Sequence, residues 1–150
     1  MTLNLPEKHF NIQKDTDGKL IILDRLRHKF VALTPEEWVR QNFVSFLIED
    51  RGYPAGLMAN EVSLIQNGIS RRCDTLVSDH YGRPLVIVEY KAPSITITQN
   101  VFDQIVRYNM VLRATYLIVS NGMTHYCCRI DYGTGRYNFI PEIPQYSALR

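Results

Sequence analysis

Asp74, Glu89 and Lys91 are the residues of this chain whose types and spacing could do chemistry. They stand in two apolar segments, "RRCDTLVSD" and "PLVIVEYKAP", where a strand pattern calls for core residues. Side chains alternate along a strand. Leu85, Ile87, Glu89 and Lys91 are therefore expected on one face, and Asp74 on a face with Arg72 and Leu76. If the hairpin pairs Asp79 with Pro84, Asp74 falls opposite Glu89, with Cβ atoms roughly 5 Å apart. A slip of one residue puts the two carboxylates on opposite faces. Like charges set against each other destabilise a sheet, and a divalent cation removes that objection. Mg²⁺ is hard and takes oxygen ligands, usually one or two carboxylates with water and phosphate oxygens. Lys91 beside it could bind a phosphate oxygen or help deprotonate an attacking water. The spacing also fits a plainer reading: Glu89 and Lys91 as an exposed ion pair worth little, and Asp74 paired with Arg71 or Arg72.

The surrounding sequence supplies the elements that must position these residues. "TPEEWVRQNFVSFLIEDRGYP" is the clearest helix: Thr34 suits the N-cap, Pro35 the first helical position, and Glu36 and Glu37 the positive end of the dipole. Glu37 stands at capping-box distance from Thr34. Val39, Phe43, Phe46 and Leu47 repeat at helical spacing, and Gly52 and Pro54 end the run. "EVSLIQNG" reads as a strand ahead of the charged pair, and "HYGR" as their turn. "TQNVFDQIVRYNMVLR" reads as a second helix capped by Thr98, and "TYLIVSNG" as a strand. Turn signals at Asp17-Gly18 and at Gly133 to Gly135 add a hairpin at each end, and the proline-bearing tail is expected to lie over the surface. The result is a single α/β domain over 1–150, with a mixed central sheet flanked by helices in the order α-β-β-β-α-β.

Composition is consistent with this. At 150 residues, 45% hydrophobic and 21% charged, the chain can bury a core without staples. A net charge of +2 permits a nucleic-acid partner without arguing for one. Cys73, Cys127 and Cys128 form no CxxC pair, so neither a disulfide framework nor a zinc site is expected, and a reduced cytoplasm fits. Adjacent Cys127 and Cys128 point to opposite faces of a strand, one expected in the core and the other at the surface. "MTLNLPEKHF" lacks a signal peptide's apolar core, and no run is long enough to span a bilayer. His9, His28, His80 and His125 have no metal-ligand spacing. Tyr126, Tyr132 and Tyr137 are expected to pack on strand faces.

Three stretches carry a likeness to a known family: "CD" at 73–74, "VEYKAP" at 88–93, and "QIVRY" at 104–108. With "LTPEEWVRQ" and "YLIVSNGMTHYC" around them, the chain resembles the PD-(D/E)xK nucleases. More closely, it resembles the N-terminal nuclease domain of type I restriction enzyme R (restriction) subunits, over roughly residues 30–130. The resemblance implies a restriction-endonuclease-like core and a Mg²⁺-dependent DNA endonuclease, with Mn²⁺ as a substitute. It makes Asp74 and Glu89 the metal carboxylates, Tyr90 a ligand through its carbonyl, and Lys91 the catalytic lysine. Gln104 and Tyr108, an i,i+4 pair on one helix face, match the family's QxxxY and would support the active site or a DNA strand. Arg71, Arg72, Arg107 and Arg113 flank the region and could meet phosphates.

The family also uses a first-helix glutamate. The motif text favours Glu37, whereas helical phase puts Glu36 on the stripe facing the sheet. Glu61 could enter the outer shell of a metal. Cys73 departs from the family's proline. The sequence has no GxxxxGK[ST], so ATP binding is not expected. The implied partners are DNA and the specificity, modification or motor subunits of a restriction system, with no membrane. The alternative is a catalytically silent module that keeps the fold to bind nucleic acid or a partner subunit.

Overall fold

In the computed structural model, which describes residues 2–150, the elements follow the expected order. They are β1 (Ile12–Lys14), β2 (Leu20–Asp24), β3 (Lys29–Ala32), α1 (Pro35–Arg51), β4 (Met58–Gln66), β5 (Ile69–Ser78), β6 (Pro84–Tyr90), α2 (Gln99–Asn109), β7 (Tyr116–Ser120), β8 (His125–Asp131) and β9 (Arg136–Ile140). Strands β4 to β9 form one six-stranded sheet in sequence order. Every neighbouring pair is antiparallel except β6 and β7, which run parallel because α2 carries the chain across between them. The C-terminal hairpin thus extends the central sheet. The N-terminal hairpin gains β1 and becomes a separate three-stranded sheet.

The helices begin where their caps dictate. Thr34 Oγ1 accepts the N–H of Glu37 at 3.0 Å, and Thr98 Oγ1 accepts that of Val101 at 3.2 Å. Gly52, with φ 70°, closes α1 through a bond from its N–H to Leu47 O. α2 stops at Asn109, short of the expected end, and tightens into a 3-10 turn over Met110–Leu112.

α1 covers one face of the sheet, packing Val39, Phe43, Val44 and Leu47 on Val77, Val86, Val88 and Ile118. α2 covers the other, with Phe102 and Val106 against Leu76, Ile87, Leu117 and Val119. The tail is more than a surface strap: Ile143, Tyr146 and Leu149 pack on the α1-side core, and Tyr53 Oη donates to Pro144 O at 3.0 Å. Among the described residues, no helix is long and apolar enough to cross a membrane.

Two-faced coverage corrects one sequence expectation. Cys127 enters the α1-side core and Cys128 the α2-side core, so both are buried and neither reaches the surface. Burial pushes the thiols of Cys73, Cys127 and Cys128 up to about 12. Native protein near neutral pH is therefore expected to give no titratable thiol with a disulfide reagent, and all three after denaturation. A fast-reacting native thiol would contradict this packing.

Candidate active site

At the turn end of the β5–β6 hairpin, Ser78 pairs with Pro84, one residue away from the expected Asp79 partner. Carried along the strands, that register would set Asp74 beside Val88 and part the carboxylates. A bulge intervenes. Leu85 is left unpaired, and from Val77↔Val86 through Thr75↔Val88 the register places Asp74 opposite Glu89. Pro84 has no N–H to give the ladder, so irregular pairing at this point is expected. The bulge also corrects the face assignment: Leu85 packs toward α1, while Ile87 faces α2.

Asp74 is fixed at both ends. Its carboxylate accepts the Tyr90 N–H at 2.9 Å, and its carbonyl accepts Arg40 Nη1 at 3.1 Å. Glu89 lies within hydrogen-bonding reach of Asp74 and of Asn109, and feels the charge of Lys91. Burial, and after it the Asp74 charge, pushes the Glu89 carboxyl up to about 9. Glu89 Oε1 is nevertheless buried with no hydrogen-bond partner, as is Asn109 Oδ1. Asn109 Nδ2 donates to Ile105 O at 2.9 Å. Lys91 is half-buried and anchored by its own N–H to Ser120 O at 2.9 Å.

The first helix contributes differently from either expectation. Glu36 is exposed and Glu37 is buried, against the helical-phase argument. Only half of the capping box forms, because the Glu37 carboxylate turns inward. It accepts Arg40 Nη2 at 2.6 Å, Arg40 Nε at 2.8 Å, Gln41 Nε2 at 2.9 Å and Arg27 Nη2 at 3.2 Å. Arg40 then reaches Glu61 at 3.0 Å, and Arg72 closes on the same carboxylate at 2.7 Å. Burial pulls the Arg40 pKa down, but Glu37 and Glu61 outweigh it and hold the group above its ordinary value. Glu61 takes a left-handed φ of 57° in β4, and the β4–β5 ladder skips the Glu61/Asp74 pair.

The network continues into the N-terminal sheet. Arg27 Nε bonds Asp24, which also accepts Asn60 Nδ2; Asn60 accepts Thr75 Oγ1 at 2.7 Å, and Thr75 meets Tyr90 Oη at 2.9 Å. Sequence reasoning missed Arg40, Asp24, Asn60 and Asn109. The available signal was charge in apolar context: Arg40 beside Val39, and Asp24 ending "LIILD".

The remaining expected residues lie at the surface. Gln104, Arg107 and Arg72 are exposed, and Arg107 acts electrostatically on Asp103 one turn earlier. Tyr108 is 44% exposed, with the Arg71 guanidinium 4.7 Å from its ring centre and its Oη at 3.5 Å from the Arg72 N–H. Arg71 and Arg72 thus leave Asp74 unpaired by cations from its own strand.

On the α1 side lies a cleft of about 240 Å³ whose charged lining is Arg27, Arg40, Glu36, Glu37, Glu61 and Asp74, while neither Glu89 nor Lys91 lines it. Four carboxylates against two guanidinium groups make it negative, so a phosphate would be repelled unless a cation stood between. Among the described residues, no group of three or more His, Cys, Asp or Glu is arranged around a common point. The donors that do meet, the Asp74 and Glu89 carboxyl groups, are hard oxygens. They fit an ion such as Mg²⁺ that takes one or two carboxylates and fills its shell with water and phosphate.

A helix, three antiparallel strands, a crossover helix and a parallel strand, with carboxylates opposed at the hairpin end, define a restriction-endonuclease-like domain. The chain belongs to the family described as type I restriction enzyme R protein N terminus, which it matches over residues 35–144. Its fold is similar to that of a fragment assigned to the HsdR subunit of a type I restriction enzyme from Vibrio vulnificus YJ016. That similarity has a TM-score of 0.53 and 21% identity, covering 78% of this chain and 24% of that one. Among curated proteins, no relative matches.

The Glu89 environment sets a pH dependence. Its folded pKa of about 9 lies above its ordinary value of 4.5. Between those values the folded state holds a proton that the unfolded chain releases. The contribution is fully present below about pH 4.5 and is lost toward pH 9, by at most about 1.4 kcal/mol per unit. Metal-free protein is expected to melt at falling temperature across this window, and Glu89→Gln to flatten the slope. Identical slopes in the two proteins would contradict a buried, protonated Glu89.

Proposed function

We propose that this domain is a Mg²⁺-dependent DNA endonuclease module of a type I restriction system, hydrolysing phosphodiester bonds. The observation that supports the reading best is the buried Glu89 carboxyl held within reach of Asp74, with its Oε1 unpartnered and the Lys91 charge acting on it. Membership of the restriction R-subunit family supports the chemistry and the system.

Asp74 and Glu89 would hold the ion, with the Tyr90 carbonyl completing the protein's share, and Mn²⁺ could substitute. When bound, the cation lowers the pKa of its water and stabilises charge on the phosphate. The chain's own part is orientation and proton handling. The Tyr90 N–H and Arg40 hold Asp74 in one position before substrate arrives. Lys91 would stabilise the attacking water or the phosphate oxygens as charge develops. Gln104, Tyr108, Arg72 and Arg107, all exposed, would support the site or meet a passing DNA strand. Glu37 would act from behind, holding Arg40 rather than touching the ion.

Recognition of sequence would fall to a specificity subunit, with modification and motor subunits as further partners. Such a module would work in the cytoplasm, where its free thiols stay reduced. One observation favours the alternative of a silent binding module: the Glu37 carboxylate is engaged by arginines and an amide rather than turned to Asp74. Metal binding separates the two readings.

Supercoiled plasmid is expected to be nicked with Mg²⁺ or Mn²⁺ and left intact with EDTA. Lys91→Ala should slow nicking by about 100-fold or more, the scale of a positioned proton-transfer group. Equal nicking by wild type and Lys91→Ala would end the lysine's assignment. Failure to bind either ion would leave the silent module.

A further inference from the structure

Among the described residues, two buried side-chain oxygens have no hydrogen-bond partner: Glu89 Oε1 and Asn109 Oδ1. Buried acceptors are nearly always met, so each exception calls for an explanation. Asn109 is the last residue of α2 and only 2% exposed. The two ends of its amide are distinguishable. Nδ2 donates to Ile105 O at 2.9 Å, and turning the amide over would set two carbonyl oxygens against each other there. The donor end is thus satisfied within the helix, while the acceptor end is buried and unmet. The same amide lies within hydrogen-bonding reach of the Glu89 carboxyl, which in turn lies within reach of Asp74. A protonated Glu89 does not resolve this. It has one hydroxyl to give, and Asp74 is the charged acceptor beside it, which leaves Asn109 Oδ1 without a donor.

Adjacent acceptors that lack a donor are what a cation meets. Asp74 comes from β5, Glu89 from β6 and Asn109 from the end of α2, so three separate elements bring oxygen to one place. Hard cations take amide carbonyl oxygens as well as carboxylates. We propose that Asn109 Oδ1 is a third side-chain ligand of the divalent cation that Asp74 and Glu89 share. This inference rests on the nuclease reading and adds a ligand to its metal site. A neutral ligand suits the position. A third carboxylate would add charge where Asp74 already opposes the ionisation of Glu89, whereas an amide oxygen adds coordination without charge. An ion held in this way ties the end of α2, next to Tyr108, to the β5–β6 hairpin.

The two ends of the amide can be tested apart. Asn109→Leu removes both, whereas Asn109→Asp keeps an oxygen and removes the donor. The experiment titrates the full chain with Mn²⁺, reads the free ion by electron paramagnetic resonance, and follows folding by circular dichroism. Wild type is expected to bind Mn²⁺. Asn109→Leu should weaken binding by at least about 10-fold, the lower end of what even an outer-shell partner is worth. Asn109→Asp should bind at least as tightly as wild type. Two results overturn the proposal: unchanged affinity in Asn109→Leu, or an Asn109→Asp as weak as Asn109→Leu, which would leave Asn109 only the helix bond of its Nδ2. In either case, Mn²⁺ binding by wild type that is lost in Glu89→Ala would show that the nuclease reading survives. Should Asn109→Leu fail to fold, Asn109→Asp decides alone. An Asp variant that folds only with Mn²⁺ supports the ligand role, and one that stays unfolded with the ion counts against it. If wild type binds no Mn²⁺, both readings fall together.

Discussion

Leu85 is the residue skipped between Pro84 and Val86 in the β5–β6 ladder, and it decides which carboxyl groups meet. Without it, Asp74 would face Val88, and Glu89 would stand alone on the α2 side. With it, the two acids oppose each other, the Tyr90 N–H becomes free to bind Asp74, and the Tyr90 ring turns into the α1-side core. A bulge costs one ladder contact and bends the strand. Here it falls beside a proline that could not have donated to the ladder in any case.

The same constraint explains why so much buried charge gathers on the α1 side. Opposed carboxylates need their backbone held against repulsion, and Arg40 does this by gripping the Asp74 carbonyl. A buried guanidinium is costly unless every donor is met, and Glu37 and Glu61 meet it. Glu37 in turn is shared with Arg27, whose other partner is Asp24 at the end of β2. The N-terminal sheet is therefore tied to the site through a continuous polar path, Asp24–Asn60–Thr75–Tyr90, that ends beside Asp74. Polar networks of this kind hold one arrangement well when fully satisfied. The exceptions, Glu89 Oε1 and Asn109 Oδ1, belong to neighbouring residues where a ligand is expected.

Much of this was legible in the sequence because the signals were local. Caps at Thr34 and Thr98, alternation in the strands and the "HYGR" turn gave the elements and their order. The family likeness then pointed to Asp74, Glu89 and Lys91, which the fold gathers at one hairpin end. What stayed hidden depends on non-local geometry. The bulge at Leu85 has no sequence mark beyond Pro84. The inward turn of Glu37 depends on Arg27, Arg40 and Gln41 meeting it at once, which helical phase alone misassigned to Glu36. The burial of both Cys127 and Cys128 follows from two covered faces, a property of the layers rather than of the strand.

The central claim is that Asp74 and Glu89 share a divalent cation. Anomalous diffraction from crystals soaked in Mn²⁺ tests it most directly, because the ion is located without reference to activity. The expected result is a peak between the two carboxylates, at about 2.0–2.3 Å from an oxygen of each, with Glu89 Oε1 no longer without a partner. A crystal with no peak there, or with manganese bound elsewhere while Glu89 stays protonated against Asp74, would contradict it.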